Sequence, residues 1–285
     1  MRIEENFDLT NYNSYKLTAR CKRAYFPNIE EDFLELYSND KITSKIILGG
    51  GYNIILSKRN YEEDFILIGE SFSKTIVNTN VIEAEAGVNL KDLSEIALSH
   101  NLSGLEVFYD IPSSLGGAVV MNAGASGEEM KDILIKARYL DLEDLKIKEL
   151  NAEDIGFEYR NSFFQKHTNK IVLKAWLQLK PGSPAEIRHK METIKNARWA
   201  KQPKEYPNAG SVFKRPKGKF VGPMLDELGL KGFSIGGAKV SEKHSGFIVN
   251  FNQATGTDIL EVISAIQKKV KEKFAVDLEV EQRII

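Results

Sequence analysis

Cysteine is almost absent from this sequence of 285 residues, which holds only Cys21. A single thiol cannot form an intramolecular disulfide, and it cannot supply the cysteine ligands of a structural zinc or iron–sulfur site. The sequence also lacks any run approaching the roughly 20 apolar residues that a membrane-spanning helix needs. These absences exclude a disulfide scaffold and a helical membrane protein.

Neither sign of charge dominates the sequence. It has 39 Lys and Arg residues against 40 Asp and Glu residues, a formal net charge of −1. A chain that coats nucleic acid or an anionic membrane would be strongly basic. We therefore expect a small-molecule partner and neither a nucleic acid nor a membrane.

Signals for export and for metal binding are missing as well. The first ten residues, MRIEENFDLT, are not a basic segment followed by an apolar one. His100, His167 and His189 are scattered, and no H-E-x-x-H spacing occurs. The sequence thus predicts a cytoplasmic protein without a bound metal.

What is present is an ordinary globular composition, with 42% hydrophobic and 28% charged residues. The length allows two or three domains. Short apolar runs end in glycine, as at 46–51, 65–69 and 81–87, which is typical of strands followed by turns. Because helices and strands do not alternate regularly, the pattern favours an α+β fold.

Three helices are predicted by apolar spacing and capping residues. The first runs from about Leu90 to His100, and the second from Pro184 to Ala200 with Ser183 as its cap. The third is predicted to begin at a Thr257 cap, because an apolar stripe follows that residue.

A polar, proline-containing stretch follows the second of these helices, and we place the main domain boundary near residues 183–203. The predicted domains are residues 1–183, with subdomains of about 1–69 and 70–183, and residues 184–285. Within the second domain, residues 184–203 are expected to form a bridging helix and a linker.

Two segments rich in small residues could hold a phosphate. In Gly49–Asn53, consecutive glycines let backbone N–H groups converge on one point, although the spacing is neither that of a P-loop nor that of a Rossmann motif. The segment 110–127 carries serines and glycines that permit close approach of a flat or anionic ligand. Ordinary turns would explain either segment alone, but the two together favour a nucleotide cofactor.

Ordered motifs extend over nearly the whole chain, from about Asn11 to Ile285. They are LGGGYNII at 48–55, the segment 111–127, FEYRNS at 157–162, NAGSVFK at 208–214, KHSGFIVN at 243–250 and LEVEQR at 278–283. Each is weak alone, but their order resembles the UDP-N-acetylenolpyruvoylglucosamine reductase (MurB) family. The sequence FKRP at 213–216, without a long inserted loop bearing tyrosine, resembles the shorter subclass of that family.

The resemblance implies a PCMH/vanillyl-alcohol-oxidase-like fold, in which two α+β subdomains bind FAD and a C-terminal α+β domain binds substrate. It implies non-covalent FAD, NADPH as the hydride donor and a UDP-sugar as the substrate. The reaction would reduce the enolpyruvyl group of UDP-N-acetylglucosamine enolpyruvate during peptidoglycan synthesis. We expect a monomer.

The resemblance also implies roles for particular residues. Arg160 would bind the substrate carboxylate and the developing enolate, Ser211 would donate the proton, and Glu281 would assist the enolate. The implied substrate-binding residues are Lys201, Arg215 and His244. The implied flavin-binding residues are Gly49, Gly50, Gly51, Tyr52, Asn53, Ile54, Ala86, Gly87, Pro112, Ser113, Ser114, Gly116, Gly117, Asn122, Ala123, Gly124 and Gly127.

Three residues depart from the family pattern: Tyr52 stands where serine is usual, and Asp110 and Ser113 stand where glycine is usual. They motivate an alternative hypothesis, a FAD-linked oxidoreductase that acts on another small molecule. A non-catalytic binding module is a third hypothesis, which the presence of Arg160, Ser211 and Glu281 disfavours.

Overall fold

The computed structural model describes residues 1–38 and 45–285. Its α-helices are α1 Glu30–Ser38, α2 Leu90–Ser99, α3 Leu115–Val120, α4 Phe163–Lys166, α5 Pro184–Lys201, α6 Val221–Glu227 and α7 Gly256–Phe274. Its strands are β1 Arg2–Asp8, β2 Arg20–Phe26, β3 Lys45–Leu48, β4 Ile54–Ile55, β5 Asn60–Leu67, β6 Thr75–Asn78, β7 Val81–Glu85, β8 Leu102–Ser103, β9 Gly124–Ala125, β10 Glu128–Glu129, β11 Leu134–Asp141, β12 Lys146–Asn151, β13 Lys170–Gln178, β14 Lys180–Pro181, β15 Ser234–Ile235, β16 Ala238–Val240, β17 Ile248–Asn250 and β18 Arg283–Ile284.

The described residues pack into two compact units. Unit 1 comprises Met1–Glu4, Arg23–Gly50 and Glu63–Asn196, and unit 2 comprises Glu5–Lys22, Gly51–Glu62 and Ala197–Ile285. Each unit is therefore assembled from segments that are distant in sequence. The predicted domains 1–183 and 184–285 are defined by the ligand that each would bind, cofactor or substrate, whereas the two units are defined by compact packing. The predicted domains stay a prediction.

A five-stranded antiparallel sheet, in the order β12-β11-β13-β7-β6, forms the centre of unit 1. Along β13 the buried residues Leu173, Ala175 and Leu177 alternate with more exposed ones, as expected for a sheet with one covered face. These side chains belong to a large apolar core that also includes residues of α2 and α3. Burial of that core is the main stabilising term of the unit.

Helix α2 confirms the helix predicted near Leu90 and shows why it begins there. The Asn89 side chain accepts a hydrogen bond of 2.9 Å from the Lys91 N–H, which satisfies one of the unpaired donors at the helix start. The apolar face of α2 is buried through Leu90, Leu93 and Ala97. The helix ends before Asn101, whose φ of +56° stops helical continuation.

Unit 2 contains the antiparallel sheet β15-β16-β17 and the long helix α7. The apolar stripe of α7 is buried as predicted, but the predicted Thr257 cap is wrong. Thr255 is the cap: its hydroxyl accepts from the Asp258 N–H at 3.2 Å, and Asp258 accepts from the Thr255 N–H at 2.9 Å. This reciprocal capping box fixes the start of α7 at Gly256.

Helix α5 begins at Pro184 as predicted and ends at Lys201, one residue beyond the predicted Ala200. Proline suits the first turn of a helix because its fixed φ is helical and it has no N–H to leave unpaired. No helix of the part that the structure describes is long and apolar enough to cross a membrane.

Candidate functional site

Two of the predicted flavin-binding segments approach each other closely in unit 1. A Cβ atom built on Gly49 would lie 2.6 Å from the Ser114 hydroxyl oxygen, so a larger residue at position 49 would displace the serine. Ser114 caps α3, and its hydroxyl accepts from the Gly117 N–H at 3.4 Å. The glycine loop after β3 and the start of α3 are thereby neighbours.

The end of β7 joins the same cluster through backbone hydrogen bonds. The Gly116 N–H donates to the Ala86 carbonyl at 2.8 Å, and the Leu115 N–H donates to the Val88 carbonyl at 2.8 Å. Segments 49–50, 86–87 and 112–117, which sequence analysis assigned to one cofactor, therefore lie together.

Arg160 contacts another of the predicted flavin segments. Its guanidinium donates to the Gly124 carbonyl at 2.9 Å and to the Asn122 carbonyl at 3.5 Å. The buried Asn122 side chain donates to the Glu158 carbonyl at 3.1 Å and so ties the two segments together from the other side. The structure thus connects Arg160 with Asn122 and Gly124.

Arg160 itself lies in a tight turn. Glu158 and Asn161 exchange backbone hydrogen bonds of 3.0 and 3.1 Å across that turn. Arg160 has a φ of +53°, which costs an ordinary residue about 1–2 kcal/mol. Its two carbonyl contacts support this conformation, and strained backbone of this kind is common at functional sites.

In unit 2, Ser211 lies on an extended segment held on both sides. On one side the Val212 N–H donates to the Gly246 carbonyl at 3.0 Å. On the other side the Glu281 N–H donates to the Val212 carbonyl at 2.8 Å, and the Lys214 N–H donates to the Glu279 carbonyl at 2.9 Å. The segments that carry Ser211 and Glu281 are therefore hydrogen-bonded neighbours, although 70 positions separate the two residues in sequence. Ser211 itself is exposed.

A buried glutamine supports the turn that precedes Val212. Gln282 is 3% exposed, and its side-chain nitrogen lies 3.0, 3.3 and 3.4 Å from the carbonyl oxygens of Ala209, Gly210 and Ser211. Its side-chain oxygen accepts from the Tyr15 hydroxyl at 3.0 Å. Tyr15 is completely buried, and burial raises the pKa of its phenol well above the usual value.

The second half of the predicted flavin loop lies in unit 2, beside the C-terminal strand. The Arg283 N–H donates to the Asn53 carbonyl at 3.0 Å, and the Asn53 side chain donates to the Glu281 carbonyl at 3.3 Å. Strand β4, which starts at Ile54, pairs in parallel with β18. The structure therefore places Asn53 and Ile54 next to the backbone of Glu281.

The three substrate-binding candidates all belong to unit 2. His244 lies in the loop before Gly246, whose N–H donates to the imidazole Nδ1 at 3.1 Å, and burial lowers the pKa of this imidazole. The Arg215 guanidinium stacks 4.6 Å from the centre of the Phe220 ring on an exposed loop. Lys201 is the exposed last residue of α5.

The predicted site residues divide between the two units. Unit 1 contains Gly49, Gly50, Ala86, Gly87, Pro112, Ser113, Ser114, Gly116, Gly117, Asn122, Ala123, Gly124, Gly127 and Arg160. Unit 2 contains Gly51, Tyr52, Asn53, Ile54, Lys201, Ser211, Arg215, His244 and Glu281.

The residues of unit 1 fit the phosphates of a dinucleotide such as FAD. Their side chains are small at the points of close approach, they offer hydroxyl groups and backbone N–H donors, and none of the predicted contacts is a carboxylate. Across residues 1–38 and 45–285, no group of three or more His, Cys, Asp or Glu side chains is arranged to hold a metal.

Sequence analysis missed Tyr15 and Gln282. Gln282 lies within the LEVEQR motif, but sequence analysis gave it no role, and 267 positions separate it from Tyr15. A lone glutamine between Glu281 and Arg283 carries no signal of burial, so only the tertiary structure identifies this contact.

Two family models match parts of this chain. Residues 202–285 match the model of the UDP-N-acetylenolpyruvoylglucosamine reductase C-terminal domain, and residues 32–151 match a FAD binding domain. The crystal structure of MurB from Thermus caldophilus is 31% identical, covers 100% of this chain and 99% of its own, and superposes with a TM-score of 0.84. The predicted α+β, FAD-binding fold is thereby confirmed.

Curated relatives are similar over most or all of their lengths. A UDP-N-acetylenolpyruvoylglucosamine reductase of Caldanaerobacter subterraneus subsp. tengcongensis is 42% identical over 98% of this chain and 92% of the relative. The protein of the same name from Francisella tularensis is 37% identical over 99% of this chain and 100% of the relative. The chain therefore belongs to the UDP-N-acetylenolpyruvoylglucosamine reductase family.

Proposed function

We propose that this chain is an NADPH-dependent flavoenzyme that reduces the enolpyruvyl group of UDP-N-acetylglucosamine enolpyruvate. The product is UDP-N-acetylmuramate, a precursor of peptidoglycan. The observation that carries the proposal is the 42% identity with a reductase of this name over 98% of the chain. The hydrogen-bonded pairing of the Ser211 and Glu281 segments supports it from the structure.

The small-residue segments 49–50, 86–87 and 112–117, with Asn122 to Gly124, are assigned to FAD, and so are Gly51 to Ile54. Bound FAD supplies hydride transfer, from NADPH to the enolpyruvyl carbon–carbon double bond. The protein residues have to position the substrate, stabilise the negative charge and deliver a proton.

Ser211 is the residue we assign to proton delivery. The double bond gains a hydride at one carbon and a proton at the other, so NADPH, one proton and the substrate give NADP⁺ and the saturated product. A serine hydroxyl is a weak acid and acts only where geometry and neighbouring charge favour transfer. Exposure of the Ser211 side chain on a segment fixed on both sides meets the geometric requirement.

Arg160 is assigned to the substrate carboxylate and to the charge that develops beside it. A guanidinium stays protonated at every physiological pH, and its planar fork matches two carboxylate oxygens. The guanidinium donates to the carbonyls of Asn122 and Gly124. The same contacts fix the direction of the side chain.

Glu281 is assigned to the enolate beside Ser211. As a neutral acid it could donate a hydrogen bond to the enolate oxygen. Lys201, Arg215 and His244 are assigned to the substrate, with the two cations suited to its diphosphate.

The test is Ser211→Ala, followed in the two half-reactions separately. Flavin reduction by NADPH should persist, whereas reoxidation by UDP-N-acetylglucosamine enolpyruvate should slow about 10²- to 10⁴-fold, the usual contribution of general acid catalysis. Ser264→Ala, at an exposed position of α7, is the matched control and should leave both half-reactions unchanged. Reoxidation near the wild-type rate in Ser211→Ala would show that another group donates the proton.

The same experiment separates the competing flavoenzyme hypothesis, which Tyr52, Asp110 and Ser113 motivated. If the wild-type protein is reduced by NADPH but is not reoxidised by this enolpyruvyl substrate, it acts on a different molecule. We further propose a monomer that works in the cytoplasm, where NADPH and nucleotide sugars are found.

A further inference from the structure

We propose that Gln282 is a positioning residue for Ser211, oriented in turn by Tyr15. This inference rests on the proposed function of Ser211 as the proton donor. Gln282 lies within the LEVEQR motif at 278–283, but the resemblance assigns a role only to Glu281 there.

The orientation of the Gln282 amide follows from its partners. Three backbone carbonyls, those of Ala209, Gly210 and Ser211, lie within 3.4 Å of one side of the amide, and carbonyls only accept hydrogen bonds. The NH₂ group must therefore face them, and the side-chain oxygen must face Tyr15. The Tyr15 hydroxyl is then the donor in its 3.0 Å contact with Gln282.

The position of Tyr15 is itself fixed by buried polar contacts. The Asn250 side chain donates to the Tyr15 carbonyl at 2.9 Å, and its oxygen accepts from the Ala254 N–H at 2.8 Å. Asn13, two residues before Tyr15, donates to the Leu17 carbonyl at 3.0 Å. A buried polar chain therefore leads from Asn250 through Tyr15 and Gln282 to the turn before Val212.

Convergence of three consecutive carbonyls on one amide requires an unusual backbone turn. Gly210 has a φ of +79°, a conformation that side-chain-bearing residues rarely adopt. Because two N–H groups serve three acceptors, at least one hydrogen bond is shared. Gln282 therefore holds the direction of the peptide groups on either side of Gly210, and these peptides set where the Ser211 hydroxyl points.

The principal variants are Gln282→Leu, which removes the donors and the acceptor at similar size, and Tyr15→Phe, which removes only the hydroxyl. Gln267→Leu is the matched control, because its side chain also donates to a backbone carbonyl, that of Leu278 at 2.9 Å. We expect Gln282→Leu to slow reoxidation by substrate on the order of 10²-fold, the effect of a displacement of about 1 Å. Tyr15→Phe should slow it less, and flavin reduction by NADPH should be unchanged in both.

A double-mutant cycle with Ser211→Ala separates positioning from a general structural role. If Gln282 acts through Ser211, Gln282→Leu has no further effect on reoxidation once Ser211 is alanine. In the apo protein, backbone amide exchange should accelerate in peptides covering 205–214 for Gln282→Leu and Tyr15→Phe, but not for Gln267→Leu. These two results together would establish the proposal.

Independent, multiplicative effects of Gln282→Leu and Ser211→Ala would overturn the positioning role while leaving the proposed function intact. Unchanged reoxidation in Tyr15→Phe and Gln282→Leu would do the same. If Ser211→Ala alone has no effect, the proton donor is misassigned. Any slowing of reoxidation by Gln282→Leu would then act through another group, and this result would also refute the positioning role. A loss of both half-reactions together with a lowered melting temperature in both variants would identify Gln282 as purely structural.

Discussion

The turn at Gly210 allows a direct test of whether backbone geometry controls proton delivery. Gly210 has a φ of +79°, and a Cβ atom built on it meets nothing within 4 Å. The cost of Gly210→Ala is therefore conformational and not steric, about 1–2 kcal/mol for an L-residue in the left-handed region. At roughly 2–4 °C per kcal/mol for a protein of this size, the melting temperature should fall by roughly 2–8 °C.

Gly229 provides a matched control for this substitution. It has a φ of +63°, also with nothing within 4 Å of a built Cβ atom, and it lies in the loop after α6. Gly229→Ala should therefore lower the melting temperature by a similar amount. Only Gly210→Ala should slow reoxidation by the enolpyruvyl substrate, because relaxation of its φ turns the adjacent carbonyls away from Gln282.

The assay is stopped-flow absorbance of the flavin, with reduction by NADPH and reoxidation by substrate followed separately. We expect reoxidation to slow on the order of 10²-fold in Gly210→Ala and to stay at the wild-type rate in Gly229→Ala. Asparagine tolerates the left-handed region better than alanine does, so Gly210→Asn should be less impaired in both stability and reoxidation. Equal reoxidation rates in Gly210→Ala and Gly229→Ala would refute the reasoning.

Two further predictions concern other parts of the chain. Arg160→Lys should weaken substrate binding and slow reoxidation by at least about tenfold while flavin reduction persists. The reason is that an ammonium group cannot reproduce the guanidinium fork that reaches the Gly124 carbonyl. A variant with wild-type substrate affinity and rate would contradict the role assigned to Arg160. Asp258→Ala should lower the free energy of unfolding by about 1 kcal/mol through loss of the α7 capping box, measured by urea denaturation. Burial would raise the Asp258 pKa, but hydrogen bonds from the Thr255 and Gly237 N–H groups lower it below the usual value. The stabilisation by the Asp258 carboxylate should therefore be complete above pH about 4 and decline as the pH falls through the lowered pKa. A difference in the free energy of unfolding between wild type and variant that stays constant down to acidic pH would contradict this account.

Local sequence patterns predicted the secondary structure well where short-range physics decides it. The apolar spacing of α2 and α7 and the proline at the start of α5 specify helices without help from the rest of the chain. The predicted cap of α7 was wrong because Thr255 and Thr257, both threonines, are equally good caps by residue type. The reciprocal bonds with Asp258, three residues after Thr255, decide between them.

The candidate site was predicted only as a set of separate motifs. Spacing along the chain did not reveal that the Glu281 N–H bonds to the Val212 carbonyl, or that Arg160 lies in a turn against Gly124. Whether Ser211 and Arg160 act as assigned remains a prediction, which the half-reaction measurements above address.

The sequence by itself determined the fold class, the family and the identity of the candidate residues, because composition, apolar periodicity and ordered motifs are properties of neighbouring positions. Only the tertiary structure decided how these residues are supported, as the contact of Tyr15 with Gln282 across 267 positions shows. A hydrogen bond between distant residues leaves no trace in local spacing, since it depends on how the intervening chain folds and buries both partners.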